Sequence, residues 1–340
     1  MVVLAKPKIV RAGMIGVGGM ARHYIRQILA NHDDTQFVAT CDPSPHMIEL
    51  AAETFTAGGA AVPPNEPDLD RFLATYAGQL DAVFISTPHK FHHDIAKACL
   101  EAGLDVLLEK PMVMTADEAR SLIATRDRTG KHLVVAFQGS LSPEIRQAVA
   151  MIKAGEIGEL LSISATIWQG WRDFTEAAWR QDPVIAGGGF MFDTGAHMLN
   201  TVADLAGQNF TEVAAWLDNR GASVDILGVI IGKLESGALV TMHGCGETIK
   251  VCTSDIRVFG TKAILRTGAW GRSLDIHRDG EPDFVPVDLD PGRGTWEQFL
   301  LVCNGAIPNP SPPEVGLRMA KLWDAIKESA AQGGKPVQAG

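Results

Sequence analysis

The run Gly187-Gly188-Gly189-Phe190-Met191-Phe192-Asp193-Thr194-Gly195-Ala196-His197-Met198-Leu199-Asn200 is the segment richest in residues able to do chemistry. Asp193 and His197 stand four positions apart, so a helix through this segment would aim a carboxylate and an imidazole the same way. Such a pair suits proton transfer, because the carboxylate orients the imidazole or a neighbouring hydroxyl and the imidazole titrates near neutral pH. The three glycines ahead of it let backbone approach a ligand closely. The same pair also fits a purely structural helix whose Asp193 and His197 satisfy one another near its N-terminus.

A second cluster points to phosphate. Gly16-Val17-Gly18-Gly19-Met20-Ala21 fits G-x-G-x-x-G/A and falls where an apolar strand pattern gives way to a helical one. Gly16 permits the sharp turn and Gly18 admits a pyrophosphate to the backbone. Ala21 lets the helix pack close to the strand, and the helix N-terminus offers unbonded N–H groups to the anion. Asp42 ends the next strand, 23 positions after Gly19, where an acidic side chain accepts hydrogen bonds from adenosine ribose hydroxyls. Its charge repels a 2′-phosphate, which favours NAD over NADP. Thr87-Pro88-His89 and Glu109-Lys110-Pro111 end two further strands, so both should face the same crevice. Pro111 holds Lys110 out of the α region and fixes its backbone.

The elements that must position these residues follow from periodicity. Strands are expected at 8–17, 37–42, weakly near 60–62, and at 81–87, 105–109 and 132–137, with helices between them, including 93–102 and 116–128. Repeated βα units with near-continuous apolar strands predict a doubly wound parallel sheet covered by helices on both faces. After residue 138 the rhythm changes. A helix at 143–153 leads into strands at 158–168, 211–218, 224–235, 237–244, 255–260, 262–267 and 272–278, with hairpin signals at Glu235-Ser236-Gly237 and Gly260-Thr261. The expected fold class is α/β: a dinucleotide-binding domain over 1–138 and an α+β domain over 139–340 with a large, open, mostly antiparallel sheet. A helix near 294–304, a Pro-rich connector at 307–314 and an amphipathic helix at 314–330, able to pack back on the first domain, close the chain.

Composition bounds the partners. A length of 340 residues favours two domains, and 46% apolar with 21% charged residues excludes a disordered chain. The formal charge of −10, with no Lys/Arg run, argues against nucleic acid and membrane surfaces. Cys41, Cys99, Cys245, Cys252 and Cys303 are scattered without a CxxC, which suits a reduced cytoplasm. His243, Cys245 and Cys252 lack a convincing further ligand, so no metal is expected. No apolar stretch approaches the roughly 18 residues of a membrane span, and the run Val2-Val3-Leu4 stops at Lys6, so no leader is expected.

Over nearly its whole length the sequence resembles the glucose-fructose oxidoreductase, inositol dehydrogenase and rhizopine-catabolism family (Gfo/Idh/MocA). The likeness rests on the Gly16–Ala21 turn, Cys41-Asp42-Pro43, Thr87-Pro88-His89 with His92, Glu109-Lys110-Pro111, Trp179-Arg180 and the Asp193/His197 segment. The resemblance implies a Rossmann domain, then a predominantly β substrate domain, a nicotinamide cofactor, and redox chemistry at a carbinol carbon of a sugar, cyclitol or related polyol. It also implies that Lys110, Asp193 and His197 are the catalytic positions. Three departures border the substrate: His89 where many relatives carry Asn, Asn200 where many carry an acid, and Phe137-Gln138-Gly139-Ser140 where relatives often show arginines.

The expected cofactor residues are therefore Gly16, Gly18, Gly19, Met20, Ala21, Asp42, Thr87, Pro88, His89, His92, Glu109 and Lys110, with His92 beside the nicotinamide. Gln138, Trp168, Trp171 and Arg172 join Asp193 and His197 as expected substrate residues, the tryptophans offering a sugar a stacking face and Gln169 a hydrogen bond. His197 is expected to take the hydroxyl proton while Lys110 stabilises the alkoxide, and the exchange of these two roles stays open. Two other readings are a sugar-modifying enzyme using tightly held NAD without net redox change, and a non-catalytic nucleotide-sensing regulator, which would not need this catalytic set. An open sheet must be covered, so a homo-oligomer, dimer or tetramer, is expected.

Overall fold

Five short strands make the first layer: β1 (Val10–Ile15), β2 (Thr35–Cys41), β3 (Ala82–Ile85), β4 (Asp105–Leu108) and β5 (Leu133–Val135). They form a parallel sheet in the order β2-β1-β3-β4-β5. Every residue of β3 and β5 is buried, as a strand roofed on both faces requires. This computed structural model describes residues 9–339; Lys8, where the first strand was expected to begin, and the Val2–Lys6 stretch lie outside them. The weak strand expected near 60–62 does not form. Pro63 and Pro64 remove two ladder donors, and only an isolated bridge between Thr40 and Asn65 remains of that pairing.

The second layer is a nine-stranded sheet. Its strands are β6 (Leu160–Gln169), β7 (Phe210–Asp218), β8 (Leu227–Leu234), β9 (Leu239–Cys245) and β10 (Cys252–Gly260), followed by β11 (Ala263–Gly268), β12 (Gly271–Arg278), β13 (Val285–Pro286) and β14 (Val337–Gln338). The order is β13-β12-β11-β10-β6-β9-β8-β7-β14, with β6 and β9 parallel and the other pairs antiparallel. Alternation marks the two faces. In β8, Gly228, Ile230, Gly232 and Leu234 are buried while Val229, Ile231 and Lys233 are exposed.

Three helices cover the inner face. Pro143–Lys153 begins at Ser142, whose hydroxyl accepts from the Ile145 N–H at 3.1 Å, and packs on β11 and β12. Gly195–Ala206 has every residue except Asp204 buried and lies against β6 and the helix Pro143–Lys153. Pro313–Ala331 sits between the halves, touching β7 and the helix Gly195–Ala206 on one side and β5 and the helix Ala116–Thr129 on the other. The helix Thr295–Cys303 lies on the first sheet: Trp296 stacks on Phe84 of β3 and donates to the Thr35 hydroxyl at 2.9 Å. No helix among the described residues is long and apolar enough to cross a membrane.

Candidate active site

The sheet order reverses between β1 and β3, and a cleft of about 1160 Å³ opens beyond the carboxyl ends of those strands, closed on its other side by the second half of the chain. Gly16 bridges the two with φ +79°; a Cβ there would stand 2.5 Å from the Ser86 carbonyl oxygen, so only glycine fits. Asp42 braces the turn from beside it, one oxygen accepting from the Val17 N–H and the other from the Ser44 N–H, each at 2.8 Å. Gly18 caps the helix Gly19–Asn31 without a side-chain bond to its first turn. A Cβ at Gly18 or Gly19 would meet no protein atom within 4 Å, which leaves the N–H groups of this helix start facing open cleft.

Lys110 follows β4 and reaches across the cleft. Its Nζ donates to Asp193 Oδ1 at 2.9 Å and to the Asp193 carbonyl at 3.1 Å. The other carboxylate oxygen, Oδ2, accepts from Trp171 Nε1 at 2.9 Å and Arg180 Nε at 3.0 Å. Burial alone would raise the Asp193 carboxyl, but Lys110, Arg180 and the other donors hold it well below the usual carboxylate range. Asp193 is not on the helix that sequence periodicity proposed for it. The helix starts at Gly195, and Asp193 lies in the turn before it, its N–H donating to the Gly189 carbonyl at 2.9 Å. Asp225 fastens that turn, accepting from the Gly189 and Met191 N–H groups at 2.6 and 2.8 Å. A Cβ on Gly189 would fall 2.0 Å from the Asp225 carbonyl oxygen, which is why the triple glycine is needed there.

His197 occupies the helix's first turn and lines the same cleft. Its Nδ1 is buried and has no hydrogen-bond partner among the described residues. Burial, with Lys110 nearby, pushes the imidazole well below its ordinary pKa and keeps it neutral. Its ring packs at 5.4 Å from Trp270. Glu109 also faces the cleft; Oε2 accepts from the Lys110 N–H at 3.0 Å, Oε1 has no hydrogen-bond partner among the described residues, and burial pushes its carboxyl up against the opposing pull of Lys110 and the Tyr24 hydroxyl. Gln138 donates to the Tyr24 hydroxyl at 3.0 Å and leaves its buried Oε1 unpartnered.

Of the expected cofactor residues, Gly16, Gly18, Gly19, Met20, Asp42, Thr87, Pro88, His89, Glu109 and Lys110 line the cleft. Ala21 is fully buried behind it, where its small side chain lets the helix close on the sheet. His92 does not reach the cleft: it is fully buried, with its ring nitrogens 2.8 and 2.9 Å from the Pro111 and Thr87 carbonyls. His89 spans the halves, its Nδ1 2.8 Å from the Ala186 carbonyl, and burial drives its pKa down to about 3.

Of the expected substrate residues, Gln138, Asp193 and His197 line the cleft, but Trp168, Trp171 and Arg172 do not. Strand alternation turns Trp168 to the outer face of β6, on the side opposite buried Ile167. Its neighbour Gln169 takes the cleft side and accepts from the Thr194 hydroxyl at 2.8 Å. Trp171 is fully buried as a support of Asp193, and Arg172 turns outward to Glu247 at 3.0 Å. Sequence reasoning gave no role to Arg180, Thr194, Trp270 or Arg272. The last two flank Gly271 on the turn between β11 and β12, where Gly268 and Gly271 are the one local signal of a tight loop.

The family model described as an oxidoreductase family with an NAD-binding Rossmann fold matches residues 10–137, and the GFO/IDH/MocA C-terminal domain matches 145–266. The chain belongs to the GFO/IDH/MocA oxidoreductase family. The rhizopine catabolism protein MocA of Rhizobium meliloti is 30% identical over 320 residues, 94% of each chain. An inositol dehydrogenase homologue of Azotobacter vinelandii, solved with NAD+, superposes with a TM-score of 0.84 at 22% identity, over 97% of both chains. A levoglucosan dehydrogenase solved with NADH and levoglucosan gives 0.82 at 22% identity, over 97% of this chain and 99% of that one. As in this family, the cleft fits a nicotinamide dinucleotide: the Gly18–Gly19 backbone is open, and Thr87 Oγ1, Glu109 Oε1 and Gln138 Oε1 are buried polar atoms without partners among the described residues.

Proposed function

We propose that this protein is an NAD-dependent dehydrogenase acting on a carbinol carbon of a sugar, cyclitol or related polyol. The observation that carries this reading is the convergence of Lys110, Asp193 and His197 on the cleft that also holds the glycine turn. The relatives support it, being named for rhizopine catabolism, as an inositol dehydrogenase homologue and as a levoglucosan dehydrogenase.

Bound nicotinamide would supply the hydride acceptor. His197, neutral in this site, has a ring-nitrogen lone pair for the proton of the reacting hydroxyl, and because burial also weakens it as a base the exchange of its role with Lys110 stays open. Lys110 has two of its three ammonium donors on Asp193 and turns the third to the oxygen that becomes an alkoxide. Asp193 fixes that amine and is itself fixed by Trp171 and Arg180. Gln138, with a free Oε1, orients a neighbouring hydroxyl. Asp42 favours NAD, because a 2′-phosphate would approach its carboxylate at the turn. Five free cysteines suit work in a reducing cytoplasm.

The test is a spectrophotometric screen of sugars, cyclitols and polyols for NAD reduction, run in parallel with NADP. Reduction of NAD by a member of these classes is the expected result. Failure to bind NADH, or turnover that requires no added NAD, would overturn the reading.

A further inference from the structure

The substrate end of the cleft carries more positive than negative charge. Lys110 and Arg180 share a single carboxylate, that of Asp193. Arg272 lines the same cleft and makes no ion pair among the described residues. Glu144 stands beside Gly271, and it forms no ion pair with Arg272 among the described residues. The other acids of the lining are Asp42, engaged by backbone at the glycine turn, and Glu109, bonded to the Lys110 N–H. Three cations therefore face two carboxylates once Asp42 is assigned to the cofactor end.

Arg272 is also placed for recognition. Its guanidinium carbon lies 5.4 Å over the Trp270 ring, and that ring lies 5.4 Å from the His197 ring, so the guanidinium is two ring contacts from the imidazole. The backbone at Arg272 has φ +70°, the left-handed region that a residue with a Cβ seldom occupies unless its surroundings impose it. A guanidinium presents a planar fork of donors that matches carboxylate and phosphate oxygens.

Building on the dehydrogenase reading, we propose that the substrate is a sugar or cyclitol bearing an oxyanion, a carboxylate or a phosphate ester, which Arg272 holds against Trp270 while the reacting carbinol faces His197. The oxyanion anchors the ring at one end and the Lys110/His197 pair engages the other. A neutral ring would leave the Arg272 fork facing water alone.

Calorimetry on the NADH-loaded protein tests this with matched probes: glucose, glucuronate and glucose 6-phosphate, and myo-inositol with its monophosphate. A carboxylate or phosphate form should bind at least about tenfold tighter than its neutral counterpart, and Arg272→Gln should cut that preference about tenfold. Arg272→Lys should retain part of it, and the carboxylate and phosphate arms tell the two oxyanions apart. Neutral probes binding as tightly as the anionic ones, no anionic probe binding, or a preference undiminished in Arg272→Gln would overturn the proposal. NADH affinity, measured first, separates these outcomes from failure of the dehydrogenase reading.

Discussion

Lys110 and Asp193 lie 83 positions apart and meet at 2.9 Å, joining the end of β4 to the turn that introduces the helix Gly195–Ala206. Each half of the chain supplies one partner, so the chemistry exists only when both halves are assembled. Replacing Lys110 by Ala leaves Asp193 with the donors of Trp171 and Arg180, and the turn should persist. Lys110→Ala should lower kcat by about 10²-fold or more while the NADH dissociation constant moves by less than about threefold. Steady-state kinetics and fluorescence titration check both, and near-normal turnover would reject the role given to the amine.

Trp171 offers a sharper test, because its ring is buried and only its Nε1–H connects it to the cleft, through Asp193. Trp171→Phe keeps the packing and deletes that donor. A loss of about 1–3 kcal/mol in stability and a roughly tenfold fall in kcat with KM unmoved are expected. A raised KM at constant kcat would show instead that the ring touches substrate.

The parts of this site legible in sequence are those fixed by local rules. The Gly16–Ala21 turn, Asp42 at a strand end and Lys110 before Pro111 follow from strand–turn–helix patterning, and the structure brings the turn, Asp42 and Lys110 to one cleft. Asp193 and His197 were legible as a pair but not in their geometry. Helical spacing put them on one helix, whereas Asp225, far along the chain, holds Asp193 in the preceding turn. Trp168 and Gln169 differ by one position, and the phase of β6, set by its pairing with β9 and β10, decides which one faces the cleft. Arg180 and Arg272 acquire meaning only through tertiary contacts, with Asp193 and with Trp270.

Two glycines of the same turn should behave differently. Gly16→Ala places a Cβ 2.5 Å from the Ser86 carbonyl oxygen at φ +79°, and should cost roughly 2 kcal/mol or more of stability. Gly18→Ala meets no protein atom within 4 Å, so its melting temperature should match the parent while NADH affinity falls about tenfold or more, the new methyl standing where a pyrophosphate approaches. Differential scanning calorimetry with NADH titration separates the two, and full NADH affinity in Gly18→Ala would count against binding at this turn.

The outer face of the second sheet presents Trp216, Val229, Ile231 and Leu239, each about half exposed, with Trp216 directly opposite Val229 in the β7–β8 register. Apolar residues so grouped favour burial against a second copy of the same face. Light scattering should give a mass that is a multiple of 36.4 kDa, and Ile231→Lys should shift it toward the monomer. A monomeric parent at micromolar concentration would contradict the self-association expected here.

Acid should weaken the fold through its buried histidines. His89, His92 and His197 are buried, and burial lowers each pKa, that of His89 to about 3; at His92 it outweighs two facing carbonyls, of which the neutral ring can donate to one. Once unfolded, each would titrate near its ordinary value of about 6.5, so below that pH the unfolded chain binds protons that the folded chain does not. Stability is then full above about pH 6.5 and falls as pH drops, by up to about 1.4 kcal/mol per pH unit for each histidine. Asp193, held low by Lys110 and Arg180 against its burial, adds a loss of the same sign only at lower pH. Glu109 and Asp225, raised by burial, act with the opposite sign above their ordinary carboxyl range, because each folded carboxyl takes up its proton at a higher pH than the unfolded one. Between about pH 6.5 and 5 the two effects overlap, so the histidine share is read as the difference between the parent and a single-histidine variant. Urea denaturation at steps across this range should show the parent losing more stability toward acid than His89→Asn, by one histidine's share. Equal pH dependence of the parent and His89→Asn would mean that the His89 ring is not held neutral in the folded protein.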